Sequence, residues 1–322
     1  MAENTKISWC DFTHNHWIGC LKVSPACDGC YAEAMMDKRY GRVQWGAPGK
    51  GAGTRSLTSE ANRRKPLSWN RRAAKDGTRP FVFCSSLADV FDNQVPEEWR
   101  RDMFDLIRAT PNLIWLLLTK RPQNIVKMAE ACGGLPANAA IGTTVEDQER
   151  ANKNVPALID AKFLLSPAFA FLSCEPLLGP IDLQWPEAVW PEGPPMCCSG
   201  HECGCRGLPT DPPLIYGLDW IITGGETDQG GHKARPSNPD WFRSIRDQCA
   251  AASVAYHHKQ NGEWAPGSLF PESETIPSGH AYHFNEGDDD NAAVWRVGKA
   301  RSGRTIDGVT HDAFPAIRGT AA

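Results

Sequence analysis

The chain has 322 residues, enough for one large domain or two modest ones, and its 41% hydrophobic and 22% charged residues are ordinary for a globular protein. Its formal net charge of −4 excludes a chain that is basic throughout and binds nucleic acid over its whole surface. The longest strongly apolar run, 113–118, is too short to cross a membrane, and the N-terminal residues contain no apolar signal core. We therefore expect a cytoplasmic protein with no membrane partner, whose 12 cysteines serve metal or redox chemistry rather than disulfides.

Strands and helices are predicted to alternate along most of the chain. The predicted strands are 7–9, 80–85, 113–118, 139–142, 169–173, 219–223 and 254–258, and the predicted helices are 31–40, 97–110, 122–131, 147–159 and 239–252. Continuous apolar strands between amphipathic helices are typical of a parallel sheet covered on both faces. The sequence therefore predicts an α/β fold of six or seven mostly parallel strands, either a partial or distorted (β/α) barrel or an open doubly wound sheet.

Polar or small residues follow each predicted strand after the first. They are Ser85–Ser86, Thr119–Lys120–Arg121, Thr143–Thr144, Cys174–Glu175, Gly224–Gly225–Glu226 and Lys259–Gln260. One such strand end would indicate only a polar cap. Because parallel α/β folds build their sites at the carboxyl edge of the sheet, six of them in series predict a shared cleft.

The composition divides the chain into one α/β domain, 1–264, and an irregular C-terminal extension, 265–322, rich in glycine and aspartate. Within the domain, residues 186–213 are rich in proline, glycine and cysteine and interrupt the alternation. We predict that they form an inserted loop.

Three cysteines, Cys20, Cys27 and Cys30, lie in one short loop near the N-terminus. Three thiolates can hold a four-iron four-sulfur cluster and leave its fourth iron open for chemistry. No fourth cysteine or histidine follows these three at the spacing typical of a zinc site. His14 and His16 lie upstream, however, and a zinc site that they complete is the alternative. The number and spacing of these cysteines favour the iron–sulfur cluster over the zinc site.

A second group of thiols lies in the predicted insertion around His201. It contains Cys197, Cys198, Cys203 and Cys205, four thiols within nine residues. We predict a structural zinc ion that pins the insertion, with a second iron–sulfur cluster as the alternative. The remaining cysteines are scattered and are expected to pack as small apolar residues.

A basic stretch runs from Arg55 to Lys75, with seven basic residues and one acid, Glu60. It is either a solvated surface segment or a rim that contacts phosphates, and Arg63, Arg64 and Arg71 are the candidate nucleic-acid contacts.

Several segments resemble a phage and prophage family of three-cysteine proteins similar to radical S-adenosylmethionine enzymes, in particular the glycinylthymidine isomerases of phage DNA hypermodification. They are SWCD at 8–11, WIGC at 17–20, VSPACDGCYAE at 23–33, SSLADVF at 85–91, LTKRP at 118–122, SCEPLLGP at 173–180, GGE at 224–226, ARP at 234–236 and KQNGEW at 259–264. The resemblance spans about residues 7–264.

The resemblance implies a radical enzyme that uses a four-iron four-sulfur cluster, S-adenosyl-L-methionine and an external one-electron donor. In such enzymes a 5′-deoxyadenosyl radical removes a hydrogen atom from the substrate. The chain departs from the common superfamily motif in two ways. Six residues separate Cys20 from Cys27, and Gly29 stands where an aromatic residue usually precedes the last cysteine.

The resemblance also suggests roles for the strand ends. Ser85 and Ser86 would bind the amino group of the cofactor by their position. Gly224, Gly225 and Glu226 are further candidates for cofactor binding that would line the cleft, and a tight turn is the alternative for them. Thr119 and Lys120, with Arg121, would meet the cofactor carboxylate or a substrate phosphate. Glu175 and Lys259 are the candidate catalytic residues, at the mouth of the same cleft. For each charged residue a surface salt bridge is the alternative.

The implied reaction moves the linkage of a glycine on thymine from its nitrogen to its α-carbon. The substrate is a modified thymine in phage DNA, and the modification protects that DNA against host restriction in the host cytoplasm. Two alternatives stay open. One is a radical lyase that repairs or cleaves a damaged base, and the other is a zinc-stabilised nucleic-acid-binding protein without enzymatic activity.

Overall fold

The computed structural model describes residues 5–184, 213–270, 281–284 and 293–317. Apart from residue 213, the predicted insertion with Cys197, Cys198, Cys203 and Cys205 lies outside these residues. The helices and strands are, in chain order, β1 (Phe12–His14), β2 (Trp17–Ile18), α1 (Tyr31–Glu33), β3 (Ser56–Leu57), α2 (Glu60–Asp76), β4 (Phe81–Cys84), α3 (Glu97–Arg108), β5 (Ile114–Thr119), α4 (Ile125–Ala131), β6 (Ala139–Thr144), α5 (Gln148–Leu165), β7 (Ala170–Cys174), β8 (Trp220–Gly224), α6 (Pro239–Ala252), β9 (Ala255–Gln260), β10 (Trp264–Pro266), β11 (Ala281–His283), β12 (Ala293–Arg296), α7 (Lys299–Ser302), β13 (Thr305–Ile306) and β14 (Val309–Thr310).

Seven of the described strands form one parallel sheet in the order β1-β4-β5-β6-β7-β8-β9. Neighbouring strands of this sheet follow one another along the chain, and one of the helices α2 to α6 lies in each connection except that from β7 to β8, which is only partly described. The sheet curls into a half-barrel with β1 and β9 as its edges. The predicted α/β fold with a partial barrel of six to seven strands is thus confirmed.

The two faces of the sheet have separate cores because successive side chains of a strand point to opposite sides. In β4, Val82 and Cys84 join the core under the helices, whereas Phe81 and Phe83 join the core on the inner face. The full burial of both faces explains why these strands read as continuous apolar runs.

Aromatic side chains fill the inner face near the amino ends of the strands. Trp220 lies at the centre, with its ring 6.2 Å from that of Phe169 and 6.0 Å from that of Phe81. The C-terminal segment covers this cluster, since Phe314 packs 5.4 Å from Trp220 and the carbonyl of Ala313 accepts a hydrogen bond of 2.9 Å from the Trp220 indole. The aromatic cluster leaves the carboxyl edge of the half-barrel for a ligand.

Three regions differ from the predictions. The first strand is Phe12–His14 rather than 7–9, because Trp9 is buried in the inner core. The basic stretch contains a helix, α2, which Ser59 caps at its start and Gly77 ends at φ +64°. The segment after residue 264 is more ordered than predicted, since β10, β12 and β11 form an antiparallel sheet there. The predicted boundary at 264 stays a prediction.

Within the described part of the chain, no helix is both long and apolar enough to cross a membrane.

Candidate functional site

A cavity of about 650 Å³ opens at the carboxyl edge of the half-barrel. All three cysteines of the N-terminal loop line it, together with residues from the ends of all seven strands of the parallel sheet. Those of the predicted site residues that line it are Ser85, Ser86, Thr119, Lys120, Glu175, Gly225, Glu226 and Lys259. The predicted shared cleft is therefore present, and it contains the cysteine loop.

The buried carboxylate of Asp89 organises the end of β5. It accepts hydrogen bonds from the Thr119 hydroxyl at 2.7 Å, from the Lys120 backbone amide at 3.0 Å and from Arg121 Nη1 at 2.8 Å. The Thr119 hydroxyl in turn accepts from the Arg121 amide at 2.9 Å. Both hydrogen-bonding functions of Thr119 are thus used inside the protein.

Two side chains that follow strands of the sheet, Arg121 and Glu146, hydrogen-bond to the backbone of the cysteine loop. Arg121 donates to the carbonyl of Leu21 at 2.9 Å and lies 3.8 Å from Cys20 Sγ. Glu146, which follows β6, accepts from the Ala26 amide at 3.3 Å. Burial, with the nearby Asp89, raises the pKa of the Cys20 thiol to about 12, and Arg121 opposes this rise. Arg121 alone does not offset burial at Cys20, and a bound metal would add positive charge that favours the thiolate.

Glu226 fastens the other end of the loop. Its carboxylate accepts from Arg235 at 2.6 and 2.9 Å, and Arg235 also donates to the carbonyl of Pro25 at 2.9 Å. His232 Nε2 lies 3.2 Å from Glu226 Oε2. Glu226 lines the cavity, but its carboxylate oxygens already have partners within the protein. Its predicted contact with a cofactor stays a prediction.

This pairing explains one departure from the common motif. A Cβ on Gly29 would lie 2.7 Å from His232 Cδ2 and 2.9 Å from Glu226 Oε1. An aromatic side chain therefore has no room before Cys30. Tyr31, the next residue, lines the cavity instead and donates from its hydroxyl to the Ser86 carbonyl at 2.5 Å.

Lys120 brings a positive charge to the cavity beside the thiols. Its Nζ lies 3.4 Å from the Thr144 hydroxyl, and no carboxylate of the described residues lies within 4.0 Å of it. Burial alone would lower the pKa of Lys120, but Cys27 and Cys30, when ionised, together with Glu146 outweigh burial and raise that pKa. Lys120 is therefore a cation available to an anionic ligand.

Glu175 and Lys259 meet across the cavity, where Lys259 Nζ lies 3.1 Å from Glu175 Oε1. A Cβ on Gly224 would lie 2.4 Å from the same carboxylate oxygen. Gly224 does not line the cavity itself, and its lack of a side chain is what lets Glu175 sit against β8. The two candidate catalytic residues thus form one ion pair.

Ser85 and Ser86 lie where β4 ends, as predicted, and both line the cavity. Asn15 donates to the Ser86 hydroxyl at 2.9 Å, and the Ser85 hydroxyl lies 3.2 Å from Cys84 Sγ. These contacts fix the two serines, and their predicted contact with a cofactor stays a prediction.

The alternative zinc site with His14 and His16 is not supported. Thr13 and Asn15 line the cavity, whereas His14 and His16 do not, since they point to the other side of β1. His14 packs 5.3 Å from Trp115 in the core. Among the described residues, no three His, Cys, Asp or Glu side chains are close enough to hold one metal ion.

The three thiols nevertheless suit a larger group. Three thiols from one loop that line one cavity are the ligands that a four-iron four-sulfur cluster with one open iron requires.

The predicted nucleic-acid contacts lie away from the cavity. Arg63, Arg64 and Arg71 are on α2, and none of them lines the cavity. Arg64 pairs with Glu60 at 3.2 Å. Arg55, at the start of the basic stretch, is buried against Asp92, with Nε 2.8 Å from the carboxylate. Arg55 therefore belongs to the structure of the protein and not to a phosphate-binding rim.

Comparison with known proteins identifies the family. Residues 4–315 match the family described as "Protein of unknown function (DUF5131)". The chain belongs to this family. A search of curated proteins found no match. A solved structure of similar fold is "Spore photoproduct lyase complexed with dinucleoside spore photoproduct", at 8% sequence identity and a TM-score of 0.40, covering 77% of this chain and 63% of that one. This DUF5131 chain thus spans less than two thirds of the length of that structure.

In this DUF5131 chain, sequence reasoning missed three residues that hold the site together. They are Asp89, Glu146 and Arg235. Asp89 and Arg235 lie in the segments SSLADVF and ARP, which carry the resemblance, so the motifs mark them without showing their role. Glu146 follows Thr143–Thr144 at a strand end, which is the one signal that pointed to it.

Proposed function

We propose that this protein is a radical S-adenosylmethionine enzyme whose four-iron four-sulfur cluster is held by Cys20, Cys27 and Cys30. The observation that carries the proposal is that these three thiols, from one loop, line a single cavity at the carboxyl edge of a parallel half-barrel. The carboxyl edge of a parallel sheet is where such folds bind ligands.

The residues around the cavity suit that cofactor. Lys120 is a cation without a carboxylate partner among the described residues and is available to the carboxylate of S-adenosylmethionine. Ser85 and Ser86 lie at the neighbouring strand end, for the amino group. Cys20, Cys27 and Cys30 would hold the cluster, which would supply one-electron chemistry to bound S-adenosylmethionine when reduced by an external donor.

We further propose that the substrate is a thymine in phage DNA that carries a glycine on its methyl carbon through nitrogen. The reaction transfers the linkage to the glycine α-carbon, as a step in a hypermodification pathway that evades host restriction. The ion pair of Glu175 and Lys259 supports a substrate of this type. The amine of a glycinyl group can pair with the Glu175 carboxylate, and its carboxylate can pair with the Lys259 ammonium group. The base must leave the DNA stack to enter the cavity.

Nucleoside analysis tests this reaction. Reduced, reconstituted protein is incubated with S-adenosylmethionine and DNA that contains glycinylthymine, and the digested nucleosides are examined by chromatography with mass spectrometry. An isomerase gives a nucleoside of unchanged mass and changed retention. A change in mass would contradict the isomerase and indicate a lyase, and absence of any product together with absence of iron would indicate a binding protein.

A matched pair of variants assigns the ion pair to the substrate. Glu175→Gln should lower product formation and leave substrate-independent cleavage of S-adenosylmethionine intact, because the carboxylate pairs with Lys259 and not with the cysteine loop. Glu149→Gln, a change of an exposed carboxylate on α5, should leave both unchanged. Equal loss of both activities in Glu175→Gln would place this residue in cofactor binding instead.

A further inference from the structure

A row of exposed side chains leads outward from the mouth of the cavity. Tyr31 and Met35 line the cavity and are 37% and 38% exposed. They lie in the helical segment that leaves the cysteine loop, α1 followed by a wider π-helical turn over Ala34–Arg39. Since residues four apart lie on the same side of a helix, Arg39 continues the row beyond Met35. The row therefore runs from the cavity to the open surface.

The outer end of the row is a pair of guanidinium groups ordered on one aromatic ring. Those of Arg39 and Arg42 lie 5.4 and 5.6 Å from the centre of the Tyr40 ring, and all three residues are exposed. Stacking on the Tyr40 ring orients each guanidinium group while its N–H donors stay accessible to solvent.

The acids near this pair are already occupied. Glu33 pairs with Lys22 at 2.7 Å and with Lys38 at 3.4 Å, and Asp37 accepts from the Trp45 amide at 2.6 Å. No carboxylate of the described residues lies within 4.0 Å of either stacked guanidinium group. The surface therefore has uncompensated positive charge beside exposed apolar and aromatic side chains.

We propose that Tyr31, Met35, Arg39, Tyr40 and Arg42, the mouth surface, bind the nucleic-acid strand whose base enters the cavity. A forked guanidinium matches a phosphate, and an aromatic ring with a thioether offers a flat apolar contact to a base. The mouth surface, rather than α2, then makes the phosphate contacts, because it is continuous with the cavity and α2 is not. This inference rests on the proposed function and adds to it the place where the strand binds.

Binding of a fluorescein-labelled, thymine-rich single-stranded oligonucleotide to the full chain tests the proposal. Fluorescence anisotropy is measured at several salt concentrations for Arg39→Ala/Arg42→Ala, for Arg63→Ala/Arg64→Ala and for the control Lys127→Ala/Lys153→Ala, which removes two exposed charges from the outer helices α4 and α5. Each lost phosphate contact lowers the slope of log K against log salt by about 0.7 on a single strand, so the first variant should lose about 1.4.

The other two variants should keep the slope of the unaltered protein. A smaller salt slope in Arg63→Ala/Arg64→Ala, with the slope of Arg39→Ala/Arg42→Ala unchanged, would overturn the proposal in favour of α2. If all three variants keep the slope of the unaltered protein, neither surface contacts the phosphates. Iron content and substrate-independent cleavage of S-adenosylmethionine are measured on the same preparations. If the proposed function fails, the unaltered protein lacks iron and does not cleave S-adenosylmethionine. If only the mouth surface fails, these two readouts are present and the slope of Arg39→Ala/Arg42→Ala equals that of the unaltered protein.

Discussion

The substitution Asp89→Ala tests how the site is held together. It removes a buried carboxylate that accepts from the Thr119 hydroxyl, the Lys120 amide and Arg121. The Arg121 guanidinium, whose side chain is 10% exposed, is then left without its close partner. Removing one member of a buried ion pair costs about 3–5 kcal/mol, because the remaining charge is uncompensated.

Urea unfolding of the metal-free protein measures this loss. The control is Asp105→Ala on α3, where the carboxylate pairs with Arg108 at 2.8 Å but is 66% exposed, so that a loss of only about 0–1 kcal/mol is expected. The double variant Asp89→Ala/Arg121→Met should be more stable than Asp89→Ala alone, since it buries no unpaired charge. A loss in Asp89→Ala within about 1 kcal/mol of the control, or a double variant less stable than the single one, would refute the reasoning.

Three further outcomes follow from packing and burial. Gly29→Ala puts a Cβ 2.7 Å from His232 Cδ2 and should reduce unfolding free energy by about 1–3 kcal/mol in urea, with partial recovery in Gly29→Ala/His232→Ala. Burial lowers the pKa of His257 from 6.5 to about 4, so the unfolded chain takes up a proton first as the pH falls. His257 should therefore contribute roughly 3 kcal/mol to the fall in unfolding free energy between about pH 6.5 and pH 4, in addition to the contribution of His258, and His257→Phe should remove its share. Phe314→Ala, which uncovers Trp220, should lower stability by about 1–2 kcal/mol in thermal unfolding, since the ring is 48% exposed.

The parallel sheet was predictable because most of its inner strands, such as β4, β5 and β8, are buried on both faces and read as short apolar runs. The meeting of the strand ends followed from the parallel arrangement alone. The first strand was placed wrongly because its apolar residue Trp9 is buried in the inner aromatic core without belonging to a strand. Helix α2 was not predicted because most of its residues are basic or polar. Only a few apolar positions, Trp69 and Ala73 among them, are buried, which is too few for a clear helical pattern.

The contacts that hold the cysteine loop could not be read from the sequence. Arg121 and Leu21 are 100 residues apart, and Arg235 and Pro25 are 210 apart. Which partners a charged side chain takes depends on how the strands curl, and the sequence pattern carries no measure of this. The same holds for Gly29, whose lack of a side chain is explained only by the position of His232.

The central claim is tested most directly by iron, labile sulfide and S-adenosylmethionine cleavage in anaerobically reconstituted protein. The account predicts about four iron and about four sulfide ions per chain and reductive cleavage of S-adenosylmethionine, with both lost in Cys20→Ala, Cys27→Ala and Cys30→Ala. Both should persist in the control Cys249→Ala, a buried residue of α6 outside the cysteine loop. Tightly bound zinc without sulfide, or an iron–sulfur signal that survives in the three loop variants, would contradict the account.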